Sequence, residues 1–495
     1  MSDHPLEPIF HPRAVALVGV PSSGSGMSMG FLTALLEQGF DREHGLYPVN
    51  PKMTEVHGLP CYPSLLDTPD PVDHVISLVP ARVAPELVEQ AVQKGVRSIH
   101  FFTAGLAETG DPELVETERR MIERLRDAGI RAIGPNCMGL YVPKSGLAFM
   151  GGFPTEPGNV MLISQSGANA GDIIHGLGRR GVRFSKAVSF GNGADVRAHH
   201  LFDYAASDPD TEIVTAYIEG AQDGRKLFEA VKRCAAVKPT IILKGGLTAA
   251  GARAANSHTG SLAGSIQIFE AMCRQAGAYR AETMDDLHDL VIGVATGARR
   301  VAGRGVALVG GGGGFAVLSA DAIAAAGLEV PPLPEASKAR LREFIPLAGT
   351  SVNNPIDTNA GGPEAMQRTL EIVAGAAPID VVVTSPMLPR PPGAAGGPGG
   401  LPAPADELSP EERSERLQAA ADRAAGQLAG LQTDTGVPFV ALLRGRDVAN
   451  EAADRFQQAA TGAGVACYPT VHRAARTLAQ LLAWRERREG LPALF

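Results

Sequence analysis

The sequence has little of several features that would point to particular classes of protein. Its 495 residues include only five cysteines, and no apolar run approaches 18 residues. The cysteines lie far apart, so we expect neither a disulfide framework nor a CxxC zinc site. Met1–Arg13 has no apolar signal core, and a membrane span is not expected. These absences predict a cytoplasmic protein with no membrane partner.

The sequence also lacks an excess of positive charge. The formal net charge is −8, which argues against a nucleic-acid partner and leaves room for a local basic pocket. Hydrophobic residues make up 44% and charged residues 20%. A chain of this length and composition can bury large cores without metal, and we assign no metal site.

Short β-branched runs alternate with longer amphipathic stretches along the chain. Buried runs of 4–7 residues alternating with helices predict βαβ units and parallel sheets. The pattern restarts twice. It predicts an α/β fold of three Rossmann/flavodoxin-like modules with mainly parallel sheets, over residues 1–145, 146–299 and 300–495. A stretch dense in proline and glycine, at about 386–408, is interpreted as a loop inside the third module.

The first module carries a glycine-rich turn between its first strand and its first helix. The predicted strand Ala14–Val20 is followed by a turn that contains Ser23, Gly24, Ser25 and Gly26. Such a turn lets the backbone approach a diphosphate at a helix N-terminus. The spacing is not GxGxxG, so a turn without a ligand remains an alternative.

The second strand of this module ends in YPVNPK, where dinucleotide folds usually carry an acidic residue. Lys52 would suit a phosphorylated ribose, as in CoA or NADP, and would not suit NAD. A solvated surface lysine is the alternative. Thr103 and Ala104 end a later strand, and the carboxyl ends of parallel strands form a ligand crevice.

The second module contains a histidine in a segment of small residues. Residues 244–264 read KGGLTAAGARAANSHTGSLAG and place His258 among glycine, serine and threonine. Ser166 and Gly167 open a second strand-to-helix turn, which is a candidate anion site. Glu219 ends another strand, and a carboxylate beside a histidine fixes its tautomer. Together they would suit phosphoryl transfer, although a structural histidine and a surface acid remain alternatives.

Several of these segments resemble one known family. In order along the chain they are LVGVPSSGSG, YPVNPK, LVPA, GPNCMGLY, ISQSGANAGD, SFGNGADV, YIEG and SHTGSLAG, followed by GGGGGFAVLSAD and NNPID. The chain resembles the NDP-forming acyl-CoA synthetases, the superfamily of succinyl-CoA synthetase, and in particular the α subunit of ADP-forming acetyl-CoA synthetase. The resemblance implies a CoA-binding domain followed by two succinyl-CoA-synthetase-like domains.

The resemblance also implies an activity, acid + CoA + ATP = acyl-CoA + ADP + phosphate, through an acyl phosphate and a phosphohistidine. By position, His258 would carry the phosphate, Glu219 would hold the histidine loop, and Ser166 and Gly167 would receive the phosphate. The segment Ser23–Gly26 with Lys52, Thr103 and Ala104 would contact CoA.

The resemblance implies an acid–thiol ligase with an ATP-grasp part, for which three ligase-type modules leave no room. We therefore expect a separate ATP-grasp β subunit that binds ATP/ADP and Mg²⁺, a hetero-oligomer, and small-molecule partners (a carboxylic acid, CoA and phosphate). Two alternatives stay open at this point. They are a non-catalytic CoA- or acyl-CoA-binding regulatory protein on the same fold, and an NADP-linked oxidoreductase.

Overall fold

The structure is a computed structural model. It describes residues 4–21, 26–248, 250–251, 253, 265–310, 312–346, 349–358, 362–386, 388, 409–443 and 451–488. The chain divides into two compact units. Unit 1 runs up to Gly178 and continues with Arg183–Met284, and unit 2 comprises Arg179–Val182 and most of the chain from Asp285 on.

The first sheet has five strands and is entirely parallel. The strands in this part of the chain are β1 (Ala14–Val18), β2 (Gly45–Val49), the hairpin β3 (Glu55–Val56) and β4 (Leu59–Pro60), β5 (His74–Ser77), β6 (Ser98–Phe101) and β7 (Arg131–Ile133). The sheet order is β2-β1-β5-β6-β7. Every residue of β1, β5 and β6 is buried because helices cover a parallel sheet on both faces.

Capping residues mark ends of the helices in this part of the chain. They are Glu7–Phe10, Met27–Glu37, Phe40–Glu43, Ala84–Lys94 and Pro112–Asp127. The carboxylate of Asp111 accepts a hydrogen bond from the backbone N–H of Glu113, and Pro112 fits the first helical position. Gly95 ends the preceding long helix in the left-handed region, at φ 73°.

The second sheet has six strands, of which five are parallel. They are β8 (Gly139–Tyr141), β9 (Val160–Ser164), β10 (Phe184–Ser189), β11 (Ile213–Ile218), β12 (Thr240–Lys244) and β13 (Tyr279–Ala281), in the order β13-β12-β11-β9-β10-β8. β8 pairs antiparallel with β10 at the edge. Four helices of at least ten residues accompany this sheet: Gly167–Arg179, Ala198–Ser207, Gly224–Val237 and Ile266–Ala276.

The third sheet is parallel and lies in unit 2. Its strands are β14 (Val306–Val309), β15 (Val381–Thr384), β16 (Phe439–Leu442) and β17 (Ala466–Tyr468), in that order. The helices of this part are Met284–Ala295, Gly313–Ala325, Glu335–Arg342, Gly362–Ala374, Pro410–Thr435, Glu451–Gly462 and Val471–Arg487.

A buried ion-pair cluster stabilises unit 2. The carboxylate of Asp289 is 3% exposed and accepts hydrogen bonds from the guanidinium groups of Arg180 (Nη2 to Oδ1, 3.0 Å) and Arg473 (Nη2 to Oδ1, 2.8 Å). The single tryptophan, Trp484, is buried in the same unit at 6% exposure. Two arginines on one buried carboxylate satisfy its oxygens, which such a desolvated charge requires.

The predicted fold class, α/β with mainly parallel sheets, is confirmed. The domain boundaries at 145 and 299 stay a prediction; the strands of the three sheets fall within 14–133, 139–281 and 306–468. β8 lies before the first predicted boundary, yet it pairs in the second sheet. Almost all of the predicted loop at 386–408 lies outside the described residues. Within the described part of the chain, no helix is long and apolar enough to span a membrane.

Candidate functional site

The CoA-type residues predicted in the first module lie along one edge of the first sheet. Gly26 follows β1, Lys52 follows β2, and Thr103 and Ala104 follow β6. Because these strands are parallel, their carboxyl ends share an edge. Ser23, Gly24 and Ser25 lie outside the described residues.

Gly26 stands directly before the helix Met27–Glu37, in extended backbone at φ −139° and ψ 165°. A side chain at this position would meet nothing within 4 Å, and the residue is exposed. Neither backbone conformation nor packing therefore requires glycine at position 26. The close approach of a ligand to the helix N-terminus would require one.

Lys52 is exposed and forms no ion pair within the described part of the chain. Its backbone N–H donates to the side chain of Asn50 (Oδ1, 2.8 Å). The amide of Asn50 in turn donates to the carbonyl of Val20 (2.6 Å), which ties the end of β2 to the turn after β1. These bonds fix the backbone at Lys52, and its exposed ammonium group is available to an anion.

Thr103, which was predicted to contact CoA, has an enclosed side chain. It is 4% exposed, and its hydroxyl donates to the carbonyl of Val79 (2.8 Å) while lying 2.9 Å from the hydroxyl of Ser77. This hydroxyl joins the ends of β5 and β6. Ala104 is exposed, so the accessible part of this pair is the Ala104 position.

The residues predicted for phosphoryl transfer lie at a second edge, in the second sheet. Glu219 follows β11, Ser166 and Gly167 follow β9, and Lys244 ends β12. These three strands are neighbours and parallel. The topology thus places Glu219 and the Ser166–Gly167 turn at adjacent strand ends, as the sequence could not establish.

Glu219 is 9% exposed and is held from several sides. Its backbone N–H donates to the side-chain oxygen of Gln165 (Oε1, 2.8 Å), which bridges the ends of β9 and β11. The hydroxyl of Tyr217 donates to Oε1 of the carboxylate (3.2 Å). The other carboxylate oxygen, Oε2, is buried and has no hydrogen-bond partner among the described residues. Such an orphaned acceptor costs free energy, so it points to a donor supplied by another group.

Lys244 is a candidate that the sequence analysis quoted only as part of KGG. It is 7% exposed, and its ammonium group donates to the carbonyls of Glu219 (2.7 Å) and Gly245 (2.9 Å). Burial lowers its pKa, and the nearby charge of Glu219 partly opposes that effect. A side chain at Gly245 would lie 2.5 Å from the hydroxyl oxygen of Tyr217, so close packing requires glycine there.

The turn at Ser166 and Gly167 starts the helix Gly167–Arg179. The hydroxyl of Ser166 accepts a hydrogen bond from the backbone N–H of Asn169 (3.3 Å), as N-cap residues do. A Cβ atom at Gly167 would lie 2.4 Å from Cγ of Met138. Glycine is therefore required by packing, and a helix N-terminus of this kind is a place where anions can bind.

His258 lies outside the described residues, as do all of residues 254–264 around it. The predicted contact between His258 and Glu219 stays a prediction. The described chain leads to this segment from Lys244 and Gly245, whose position at the end of β12 is next to Glu219 at the end of β11.

Comparisons with known proteins give two matching domain families. A CoA-binding domain model matches residues 13–143, and the succinyl-CoA ligase-like flavodoxin domain matches residues 157–292. The first match spans the first sheet, and the second covers the edge with Glu219 and Ser166.

Relatives and solved structures agree with these matches. The chain is 34% identical over 385 residues to the alpha subunit of ADP-forming acetate–CoA ligase II of Pyrococcus furiosus, covering 78% of this chain and 83% of that subunit. It is 34% identical over 382 residues to ADP-forming acetate–CoA ligase I of Archaeoglobus fulgidus, covering 77% of this chain and 54% of the relative. It thus spans about half the length of some curated relatives that it matches.

The structure of the dinucleotide-forming acetyl-coenzyme A synthetase 1 of Ca. Korarchaeum cryptofilum, in complex with phosphate and ADP, is similar along nearly the whole chain. The TM-score is 0.76 at 28% identity, and the match covers 98% of both chains. The chain therefore belongs to the NDP-forming acyl-CoA synthetase superfamily, alongside the alpha subunits of the ADP-forming acetate–CoA ligases.

Proposed function

We propose that this chain is the CoA-binding, phosphohistidine-bearing part of an acyl-CoA ligase. The reaction is acid + CoA + ATP = acyl-CoA + ADP + phosphate. The observation that carries the proposal is the buried Oε2 of Glu219, for which the described part of the chain supplies no hydrogen-bond partner. It lies where the chain leaves β12 toward His258 and beside the strand that leads to Gly167.

An imidazole N–H of His258 supplies the missing donor in this proposal. A hydrogen bond to Oε2 of Glu219 would fix the tautomer and leave the other ring nitrogen unprotonated. That nitrogen is the nucleophile toward phosphorus. Tyr217 supports the arrangement, since its pKa is raised to about 12 by burial and by the charge of Glu219 and its hydroxyl stays protonated.

In the direction of synthesis, the reaction consists of two phosphoryl transfers and one acyl transfer. The free nitrogen of His258 forms a bond to the γ-phosphorus of ATP, and ADP leaves. A carboxylate oxygen of the acid then bonds to that phosphorus, the N–P bond breaks, and an acyl phosphate forms. Finally the thiolate of CoA attacks the acyl carbon and phosphate leaves. Such transfers depend mainly on positioning and charge neutralisation.

The phosphate is bound in this proposal by the N-terminus of the helix Gly167–Arg179. Its backbone N–H groups and the positive end of its dipole favour an anion. The ammonium group of Lys244 adds positive charge at the end of β12, which is separated from β9 by the strand β11. Charge stabilisation of this kind is frequently the largest contribution to catalysis.

CoA binding is assigned to the edge of the first sheet. Gly26 leaves the helix N-terminus open for a diphosphate, and the exposed Lys52 suits the phosphate on the ribose. Ser23, Gly24 and Ser25 complete the turn in the sequence, and the Ala104 position lies at the same edge. The matching CoA-binding domain family supports this assignment.

ATP, ADP and Mg²⁺ are assigned to an ATP-grasp part carried on a partner β subunit. The alpha-subunit names of relatives from Pyrococcus furiosus support a hetero-oligomer. Mg²⁺ would neutralise the phosphate charge during transfer to His258. The acid substrate is a small carboxylic acid, as in the acetate-named relatives.

Labelling tests the proposal. The chain is incubated with γ-³²P-labelled ATP and Mg²⁺ in an extract of its native source, beside His258→Ala and the exposed control His57→Asn. We expect a label that is labile to acid and stable to base in wild type and His57→Asn, and none in His258→Ala. Unlabelled wild type that still binds CoA would overturn the catalytic proposal in favour of a regulatory CoA-binding protein.

A further inference from the structure

A cavity lies beside the third sheet, at the carboxyl end of β15. Its volume is about 200 Å³, and it lies between the helices Gly362–Ala374 and Pro410–Thr435. β15 is an interior strand, flanked by β14 and β16. The carboxyl ends of parallel strands are the usual place for ligands in open α/β sheets. None of the residues assigned to the proposed function lines this cavity.

The described walls of the cavity are mostly apolar. Met366 and Leu370 come from one helix, and Ala424, Leu428 and Leu431 come from the other. An apolar cavity of about 150 Å³ is known to accept benzene. This one has room for an aromatic ring or a hydrocarbon chain of similar size.

One charge lies among these walls. Arg423 is the only charged side chain among the described lining residues, and it has no ion pair or hydrogen bond within the described part of the chain. By contrast, Arg455 on the next helix binds Glu451 and Ser414. The guanidinium of Arg423 is therefore available for an anion from outside.

Two further features favour an anion. Pro363, in the first turn of the helix Gly362–Ala374, lines the cavity, so the positive end of that helix dipole acts on it. The hydroxyl of Ser385 and the amide of Gln427 also line the cavity and make no hydrogen bond to described residues. Both can donate to a carboxylate.

We infer that this cavity binds a small carboxylate with an apolar body of about the size of a benzene ring. The carboxylate would pair with Arg423, and the body would lie against Met366, Leu370 and Leu428. This cavity is independent of the proposed function, because its described lining residues lie at the third sheet and on the two helices beside it.

The test is a calorimetric titration of the full chain with phenylacetate and with its uncharged isostere phenylacetamide. Arg423→Gln removes the charge, and Ala424→Trp fills the cavity. Their matched controls on the same helix are Arg416→Gln and Ala419→Trp, at exposed positions outside the cavity. We expect a phenylacetate site that is weakened about tenfold or more by either cavity variant and unchanged in the controls, with the amide binding about tenfold more weakly.

The outcomes separate this site from any other site for acids. Phenylacetate binding that is unchanged in both cavity variants lies elsewhere and overturns the inference. Absence of phenylacetate binding to wild type, or equal binding of acid and amide, also overturns it. Arg423 is exposed, so its variant decides the question if Ala424→Trp lowers the thermal midpoint seen by circular dichroism.

Discussion

The hydroxyl of Tyr217 donates a hydrogen bond to one carboxylate oxygen of Glu219 at 3.2 Å, while the other oxygen is buried with no partner among the residues that the structure describes. The two residues lie on the same face at the end of β11, two positions apart. The carboxylate is thus fixed at one oxygen and unsatisfied at the other. This asymmetry is expected where a second donor arrives only in part of a reaction cycle.

Glu219→Gln tests the role of that carboxylate in labelling His258. The amide cannot accept at both positions, so we expect labelling to slow about 10–100-fold, as with other residues that orient a histidine. The control is Glu212→Gln, because Glu212 is exposed just before the amino end of the same strand. Equal labelling rates in Glu219→Gln and wild type would contradict the assignment.

Lys52→Gln tests the predicted contact with the phosphorylated ribose. We expect CoA affinity to fall about tenfold, the order of one charge-assisted contact, with little change for dephospho-CoA. Binding of both compounds is measured by calorimetry. The exposed Arg42 supplies the control Arg42→Gln. A parallel loss for both compounds would place Lys52 away from that phosphate.

Gly167→Ala tests whether packing against Met138 sets the turn that is proposed to bind phosphate. The new Cβ atom would lie 2.4 Å from Cγ of Met138, so the first turn must shift. We expect labelling of His258 to slow by about tenfold or more, since small misplacements near reacting groups have large effects. The double variant Gly167→Ala/Met138→Ala should recover much of the rate, and failure to recover it would show that the glycine acts in another way.

His74 and His100 should make the first sheet sensitive to acid. Burial lowers the pKa of His74 to about 3 and that of His100 to about 4. Below pH 6.5 the unfolded chain binds protons that the folded chain does not, so stability falls as pH falls toward those values. From pH 7 to pH 5 the loss is about 2 kcal/mol for each histidine.

The measurement is native-state hydrogen exchange of peptides from β5 and β6 at pH 5 and pH 7. His74→Leu should remove about half of the combined pH dependence of the two histidines, whereas the exposed His57→Asn should leave it unchanged. An unchanged slope in His74→Leu would show that the ring is charged at pH 5 in the folded protein.

Asp289→Asn should destabilise unit 2 by about 3–5 kcal/mol, because it leaves Arg180 and Arg473 with a poorer partner in a buried place. Trp484 is the only tryptophan and lies in unit 2, so its fluorescence during urea unfolding reports on this unit. Glu335→Gln is the control, because the Glu335 side chain that pairs with Lys338 is 73% exposed, and it should cost less than about 1 kcal/mol. Equal losses would contradict a special role for burial.

Much of the fold follows from local patterns. The predicted strand Ala14–Val20 corresponds to Ala14–Val18, because short buried runs bounded by turn residues are typical of parallel strands. The helix Pro410–Thr435 was not predicted, although Ser409 and Glu412 form a capping box that signals its start. Its alanine-rich sequence lacks a clear apolar stripe, so the helical periodicity of hydrophobic residues is not visible in the sequence.

The site was only partly accessible from sequence. Glu219 and Ser166 could be named from their strand ends, but their adjacency depends on the sheet order β12-β11-β9, which pairing across the chain decides. The burial of the Lys244 ammonium group against two carbonyls left no signal in KGG. The enclosed hydroxyl of Thr103 likewise depends on contacts with β5.

The antiparallel strand β8 has a practical consequence for dissecting the protein. It precedes residue 145 and forms the edge of the second sheet, where it pairs with β10. A recombinant fragment that starts at residue 146 would expose the hydrogen-bonding groups of β10 and invite association between copies. A fragment that starts at residue 134 would retain the covering strand, and it is the better choice for expression and crystallisation.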